Sequence, residues 1–125
     1  MKNKLRRMVI NDRIYLYRIQ TRYVRPSHGK LILKVFLEGC RNTPLVVECL
    51  VAEDLITGNP LFVGTRLFNK HTRELCDVNL NYPRYIRELI ECGFGRGWTG
   101  TEKIDKQDGL VYLQELGYDI ASLQS

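Results

Sequence analysis

The chain has 125 residues, 44% of them apolar and 26% charged, with a net charge of +5 and four cysteines. That is enough chain to bury the core of one domain, residues 1–125, without metal or disulfide support. No apolar run nears the roughly 18 residues of a membrane span, and no uninterrupted apolar stretch follows the basic N-terminus as it would in a secretory signal, so a cytoplasmic protein with no membrane contact is expected.

Residues 1–7 read as a loose basic end. Met8-Val9-Ile10, the pair Asn11-Asp12, and Arg13 onward read as a short strand, a tight turn and a long strand. The long strand runs to about Arg25, where Pro26-Ser27-His28-Gly29 marks a second turn. A three-residue loop Ser27-His28-Gly29 would put Gly29 at the position needing positive φ. That register pairs Tyr23 with Leu33, Thr21 with Val35 and Ile19 with Leu37, and, on the other face, Arg22 with Lys34, Gln20 with Phe36 and Arg18 with Glu38. Period-two alternation then sends Tyr15, Tyr17, Ile19, Tyr23, Leu31, Leu33, Val35 and Leu37 to a core face. The opposite face receives Arg18, Gln20, Arg22, Lys34 and Glu38, interrupted by Ile32 and Phe36.

Leu45–Ala52 is almost continuously apolar and reads as a central strand, joined to its neighbour through 39–44. Between Leu55 and Leu80, the turn Thr57-Gly58-Asn59-Pro60 is followed by one or two short strands about Gly64 (Leu61-Phe62-Val63 and Arg66-Leu67-Phe68), then a weakly alternating edge strand from Arg73. Asn81–Trp98 predicts the main helix, about 82–94. Tyr82, Tyr85, Ile86, Leu89, Ile90 and Phe94 share one face of it; Arg84, Arg87, Glu88 and Glu91 share the other. Asn81 caps it, Pro83 opens its first turn, and Gly93, Gly95 and Gly97 end it, with Trp98 packing across the end. Leu110, Leu113 and Leu116 predict a short C-terminal helix over about 109–116, with Asp108 as N-cap and Gly117 as stop. The expected fold is α+β: an antiparallel meander sheet of about four to six strands, the main helix packed on one face.

The order of an Asn11-Asp12-Arg13-x-Tyr15 hairpin, apolar strands, and a helix entered through Pro83 and closed by Gly97-Trp98 resembles a loosely defined group of small uncharacterised bacterial proteins, over about residues 8–98. The resemblance implies no activity for any residue here.

Catalytic signals are weak. His28 and His71 lie in no metal-ligand pattern, so no metal or cofactor is expected. Cys76-Asp77 and His71 would form a thiol–base pair only if the fold brought them together. Gly93, Gly95 and Gly97 follow a helix where a phosphate loop would open one. Cys40, Cys49, Cys76 and Cys92 form no CxxC pair and read as reduced thiols. We therefore expect no enzyme.

The charge is uneven. Residues 1–34 carry ten basic side chains against Asp12 alone, a net +9, and the rest of the chain carries −4. A local positive field attracts anionic partners. The expected binding residues are Arg18, Gln20, Arg22, Ile32, Lys34 and Phe36, with Val46 and Leu50 beside them. A face so mixed suits an interface with a protein partner or a second copy, or an internal face covered by residues 55–80. The alternative is non-specific nucleic-acid binding through the basic N-terminal third.

Overall fold

The computed structural model describes residues 5–53 and 56–124. The chain forms strands β1 (Arg6–Ile10), β2 (Arg13–Arg25), β3 (His28–Leu37) and β4 (Cys40–Ala52), helix α1 (Pro60–Val63), strands β5 (Thr65–Asn69) and β6 (Glu74–Val78), helix α2 (Pro83–Gly95), the two-residue strand β7 (Gln107–Asp108), and helices α3 (Gly109–Glu115) and α4 (Ala121–Gln124). The first four strands form an antiparallel meander, and β7 joins β4 in parallel at its margin, giving the order β1-β2-β3-β4-β7. β5 and β6 make a separate two-stranded hairpin. The fold is α+β with a mostly antiparallel sheet, as expected from the pattern of strands and one strong amphipathic helix.

The first hairpin is closed by Asn11 and Asp12, both at positive φ (53° and 63°), the conformation that matches the twist of its strands. Arg6 and Arg7 belong to β1, paired with Tyr17 and Leu16, so the basic segment is structured from Arg6 onward. Met1–Lys4, the rest of that expected loose end, lie outside the described residues.

The second hairpin departs from the expected register. Its turn is Pro26-Ser27, with Arg25 opposite His28, and the positive φ (64°) falls on Ser27 instead of Gly29. Ile19 therefore faces Leu33, Thr21 faces Leu31, Arg18 faces Lys34 and Gln20 faces Ile32, with an irregularity between Tyr23 and Arg25. The slip spans an even number of residues, so each side chain of the paired region keeps its face. Gly29 serves a different purpose: it is buried, and the Glu53 carboxylate packs where a side chain would sit. Tyr15 and Tyr17 are buried, but Tyr23 is 56% exposed near the hairpin tip and does not join the core.

β4 starts at Cys40, five residues before the expected strand. Glu38-Gly39 makes the turn, with Gly39 at φ 89°. Pro44 is accommodated because β7 pairs only with Val47 and Glu48, which leaves the first half of β4 at the sheet margin. Leu61-Phe62-Val63 is helical where a strand was expected. Asn59 accepts from the Leu61 N–H (3.0 Å) and Pro60 occupies the first turn, a helix-start pairing. β5 and β6 do form at the expected apolar stretches.

α2 matches the expected span, but Tyr82 occupies its N-cap position and makes no side-chain cap. Asn81 instead donates to the Phe62 carbonyl (2.8 Å). Tyr82 is half exposed, whereas Tyr85, Ile86, Leu89 and Ile90 are buried. Glu88 is half-buried and accepts from the Tyr118 hydroxyl (3.0 Å), so it is not a freely solvated charge. Gly93 lies within the helix; a Cβ there would come 2.6 Å from Leu45 Cδ2. Trp98 turns back across the helix end, its ring stacked on Phe94 at 5.9 Å and its indole N–H donating to the Thr43 carbonyl (3.0 Å). α3 has the expected cap, Asp108 accepting from the Leu110 N–H (2.9 Å), and Gly117 takes positive φ (102°) just beyond it.

One cluster of buried side chains unites the layers. Leu31, Leu33, Val35, Leu45, Val47, Cys49 and Val51 from the sheet meet Ile86, Leu89 and Ile90 of α2, Leu110 and Leu113 of α3, and Leu123 of α4. The close fit of α3 depends on Gly109, whose absent side chain would overlap Cys49 Sγ and lie 3.0 Å from Val47 Cγ1 and 3.3 Å from the Glu48 carbonyl. Gly109→Ala is therefore expected to destabilise the fold by about 1–3 kcal/mol, since overpacking a fixed contact outweighs any gain in backbone rigidity. Chemical denaturation measures this directly, and a stabilised Gly109→Ala protein would contradict the packing.

Candidate interaction face

Every helix contributes its buried residues to one face of the sheet, the face bearing the odd-numbered residues of β3 and β4. The other face holds the even-numbered residues. Among the described residues no helix packs on it, and the buried apolar residues of 56–80 (Leu61, Leu67, Val78, Leu80) belong to the opposite layer. The expected cover by residues 55–80 is thus absent among the described residues; Asp54 and Leu55 lie outside them.

The register arranges this open face in rows. Arg18, Lys34 and Val46 lie side by side across β2, β3 and β4; Gln20, Ile32 and Glu48 form the next row; Arg22, Lys30 and Leu50 the third. Leu16 lies opposite Phe36, and Arg7 of β1 lies opposite Leu16. All six expected binding residues are thus on one face, although none of the polar pairs expected between them is the pair formed. Arg18, Gln20, Ile32 and Lys34 are half-buried, Arg22 is exposed, and Phe36 keeps only 7% of its surface.

Sequence reasoning missed four contributors. Arg7 and Val9 were assigned to a loose end or a short strand, yet the Asn11-Asp12 turn sets their partners (Leu16 and Ile14) and so their face. Lys30 was placed beside the turn. Arg41 was hidden because it fell in the expected 39–44 connection. The Arg41 guanidinium lies 5.7 Å from the centre of the Phe36 ring, and the Lys34 ammonium 5.5 Å from it. Two cations therefore contact one aromatic ring, at distances where the ring quadrupole attracts them.

Electrostatically the face is under-compensated. Glu48 binds Lys30 (3.3 Å) and Lys106 (3.5 Å). Among the described residues, Arg7, Arg18, Arg22, Lys34 and Arg41 make no ion pair. Two rows also set like charges directly opposite, Arg18 against Lys34 and Arg22 against Lys30. Such pairs cost stability in an antiparallel sheet.

The sites considered for catalysis remain separate. The Cys76 thiol donates to its neighbouring Glu74 carbonyl (3.8 Å), while the His71 ring packs against Gly117. Among the described residues no three His, Cys, Asp or Glu side chains are grouped to hold a metal ion. A cleft of about 1030 Å³ lies at the β2–β3 tip; among the described residues Glu53 is its one charged lining residue, and no described histidine or cysteine lines it. Among the described residues no helix is long and apolar enough to cross a membrane. All four cysteines are free. Burial first, then repulsion from Asp108 and Glu48, pushes the Cys49 thiol from 9.0 up to about 12; burial likewise raises Cys92 to about 11. Both are held as thiols, not nucleophilic thiolates.

Comparison with protein-family models, with curated proteins and with solved structures returned no match.

Two predictions follow the electrostatics. Arg18→Glu places an acid opposite Lys34 and is expected to raise stability by about 0.2–1 kcal/mol, read as a shift in the denaturation midpoint. A destabilised variant would mean that Arg18 is compensated in the native protein. Second, a raised acid pKa in the folded state favours folding fully below the unfolded value. The Cys49 contribution is intact below about pH 9 and is lost as the pH climbs toward about 12. Stability should therefore decline across that window, and less steeply in Cys49→Ala; equal slopes would show that the thiol titrates alike in both states.

Proposed function

We propose that this is a non-enzymatic binding protein whose open sheet face docks an acidic protein partner. The observation carrying this reading is the cation row on the central strands: Arg18 and Lys34 are adjacent, half-buried and without acidic partners among the described residues. An arrangement that costs stability alone becomes favourable when an opposing carboxylate surface neutralises it. Ile32, Val46 and Leu50 among those cations supply apolar area for the same contact. A protein that inhibits or neutralises an acidic target is the class this describes. A second copy fits less well, because it would bring two surfaces of the same sign together. The four free thiols support a reducing compartment, and we take the cytoplasm as the working location.

Nucleic acid is the second reading, supported by the same row of cations. Base stacking has little to use on this face, because the Phe36 ring is covered and already carries Lys34 and Arg41. Phosphate contacts alone would remain, and these give a steep salt dependence.

The test compares wild type with the double variant Arg18→Glu, Lys34→Glu. Affinity capture from native lysate should retain an acidic protein at low salt on wild type and lose it on the variant, while light scattering shows a monomer. Identical retention by both proteins would remove the sheet face from the interaction. Salt-sensitive oligonucleotide binding, lost in the variant without any captured protein, would establish the second reading instead.

A further inference from the structure

The open face continues to a free sheet edge, and the geometry points to strand addition there: we propose that β1 pairs with an extended acidic segment of the partner protein. This deepens the proposed function and rests on it. Among the described residues, β1 is the terminal strand of the five-stranded sheet and pairs only with β2. The Ile10–Arg13 pair closes the two-residue turn and is hydrogen-bonded, as the first and last residues of such a turn are. Hydrogen-bonded and non-bonded pairs alternate along an antiparallel ladder. Arg6, Met8 and Ile10 therefore direct their backbone groups inward to β2, and Arg7 and Val9 direct theirs outward. Among the described residues, no side-chain or loop hydrogen bond reaches those outward groups. An edge of this kind is a template for another strand.

The side chains state what the added strand must carry. Arg6 and Arg7 stand at the start of β1 and call for acidic residues opposite; neither makes an ion pair among the described residues. Met8 is half-buried and Val9 is 51% exposed, and both call for apolar neighbours. Run antiparallel to β1, the incoming segment is apolar first and acidic second. Its acidic residue opposite Arg7 projects onto the open face, on the side where Arg18 and Lys34 lie. The arginines also act against self-pairing, since charge on an edge strand discourages a second copy.

The probe is a synthetic peptide with a Val-Ile-Val half followed by a Glu-Asp-Glu half, compared with the same peptide carrying lysines in place of the acids. Peptide affinity is measured by titration, and backbone hydrogen exchange is followed at Arg7 and Val9. The acidic peptide is expected to bind, to slow exchange at both amides, and to bind about tenfold more weakly to Val9→Pro, the worth of about one net hydrogen bond. Proline at that position removes only an outward N–H, which an edge strand tolerates; a circular-dichroism spectrum checks that the fold is kept. Arg7→Glu, which needs no backbone change, should reverse the preference toward the lysine peptide. Binding of the acidic peptide with Arg7 and Val9 amides unprotected overturns strand addition while leaving the open face as the docking surface. Protection of both amides without peptide, rising with protein concentration and accompanied by a dimer mass, overturns the acidic segment in favour of a second copy. No binding of the acidic peptide also overturns strand addition, and lysate capture with the Arg18→Glu, Lys34→Glu variant then shows independently whether the broader function survives.

Discussion

Complete burial of one side of two central strands governs this structure. Leu31, Leu33 and Val35 of β3, and Leu45, Val47, Cys49 and Val51 of β4, expose no surface at all. Because successive side chains alternate, that commitment dictates where every intervening residue goes. Lys34, Phe36, Val46, Glu48 and Leu50 have no choice but the other side. The helices then settle on the buried side, close enough that Gly93 and Gly109 lie against Leu45 and Cys49 without room for a side chain. The open face is thus a consequence of the core and not a separate construction.

This explains which parts were legible in the sequence. Period-two alternation and the amphipathic stripe of α2 are properties of many residues together, and they survive local errors. The β2–β3 turn was misplaced, yet each face kept its membership because the slip was even. Features resting on single residues fared worse. Gly29 signalled a turn, but its lack of a side chain is needed for the Glu53 contact. Asn81 stood where a cap belongs, but Phe62 offered its side chain a partner. Pro44 fell in the expected 39–44 connection, yet it lies inside β4, where the sheet margin has no need of its N–H. In each case a long-range contact, invisible in local sequence, decided the outcome.

The candidate face was legible in outline for the same reason and incomplete for the same reason. Alternation gathered Arg18, Gln20, Arg22, Ile32, Lys34 and Phe36. It could not rank them, because ranking needs neighbours across strands. Only the observed register sets Arg18 beside Lys34 and leaves Glu48 to Lys30 and Lys106. Arg41 reaches the ring of Phe36 only because β4 begins at Cys40.

The Phe36 ring limits what the face can recognise. A bare aromatic on a basic sheet offers a stacking surface that accepts any base. Here the ring lies beneath Lys34 and Arg41, with cation-to-ring distances of 5.5 and 5.7 Å, and only 7% of the residue's surface remains open. It acts as a platform that holds two cations at defined positions instead of as a contact in its own right. Such contacts reduce the freedom of two long side chains before any partner arrives, which lowers the entropy lost on binding. Two fixed charges on the sheet favour a partner whose carboxylates are fixed at matching spacing, as on a folded or strand-like protein surface. A flexible phosphate backbone gains less from that arrangement. The chemistry of one covered ring thus supports the proposed protein partner over nucleic acid.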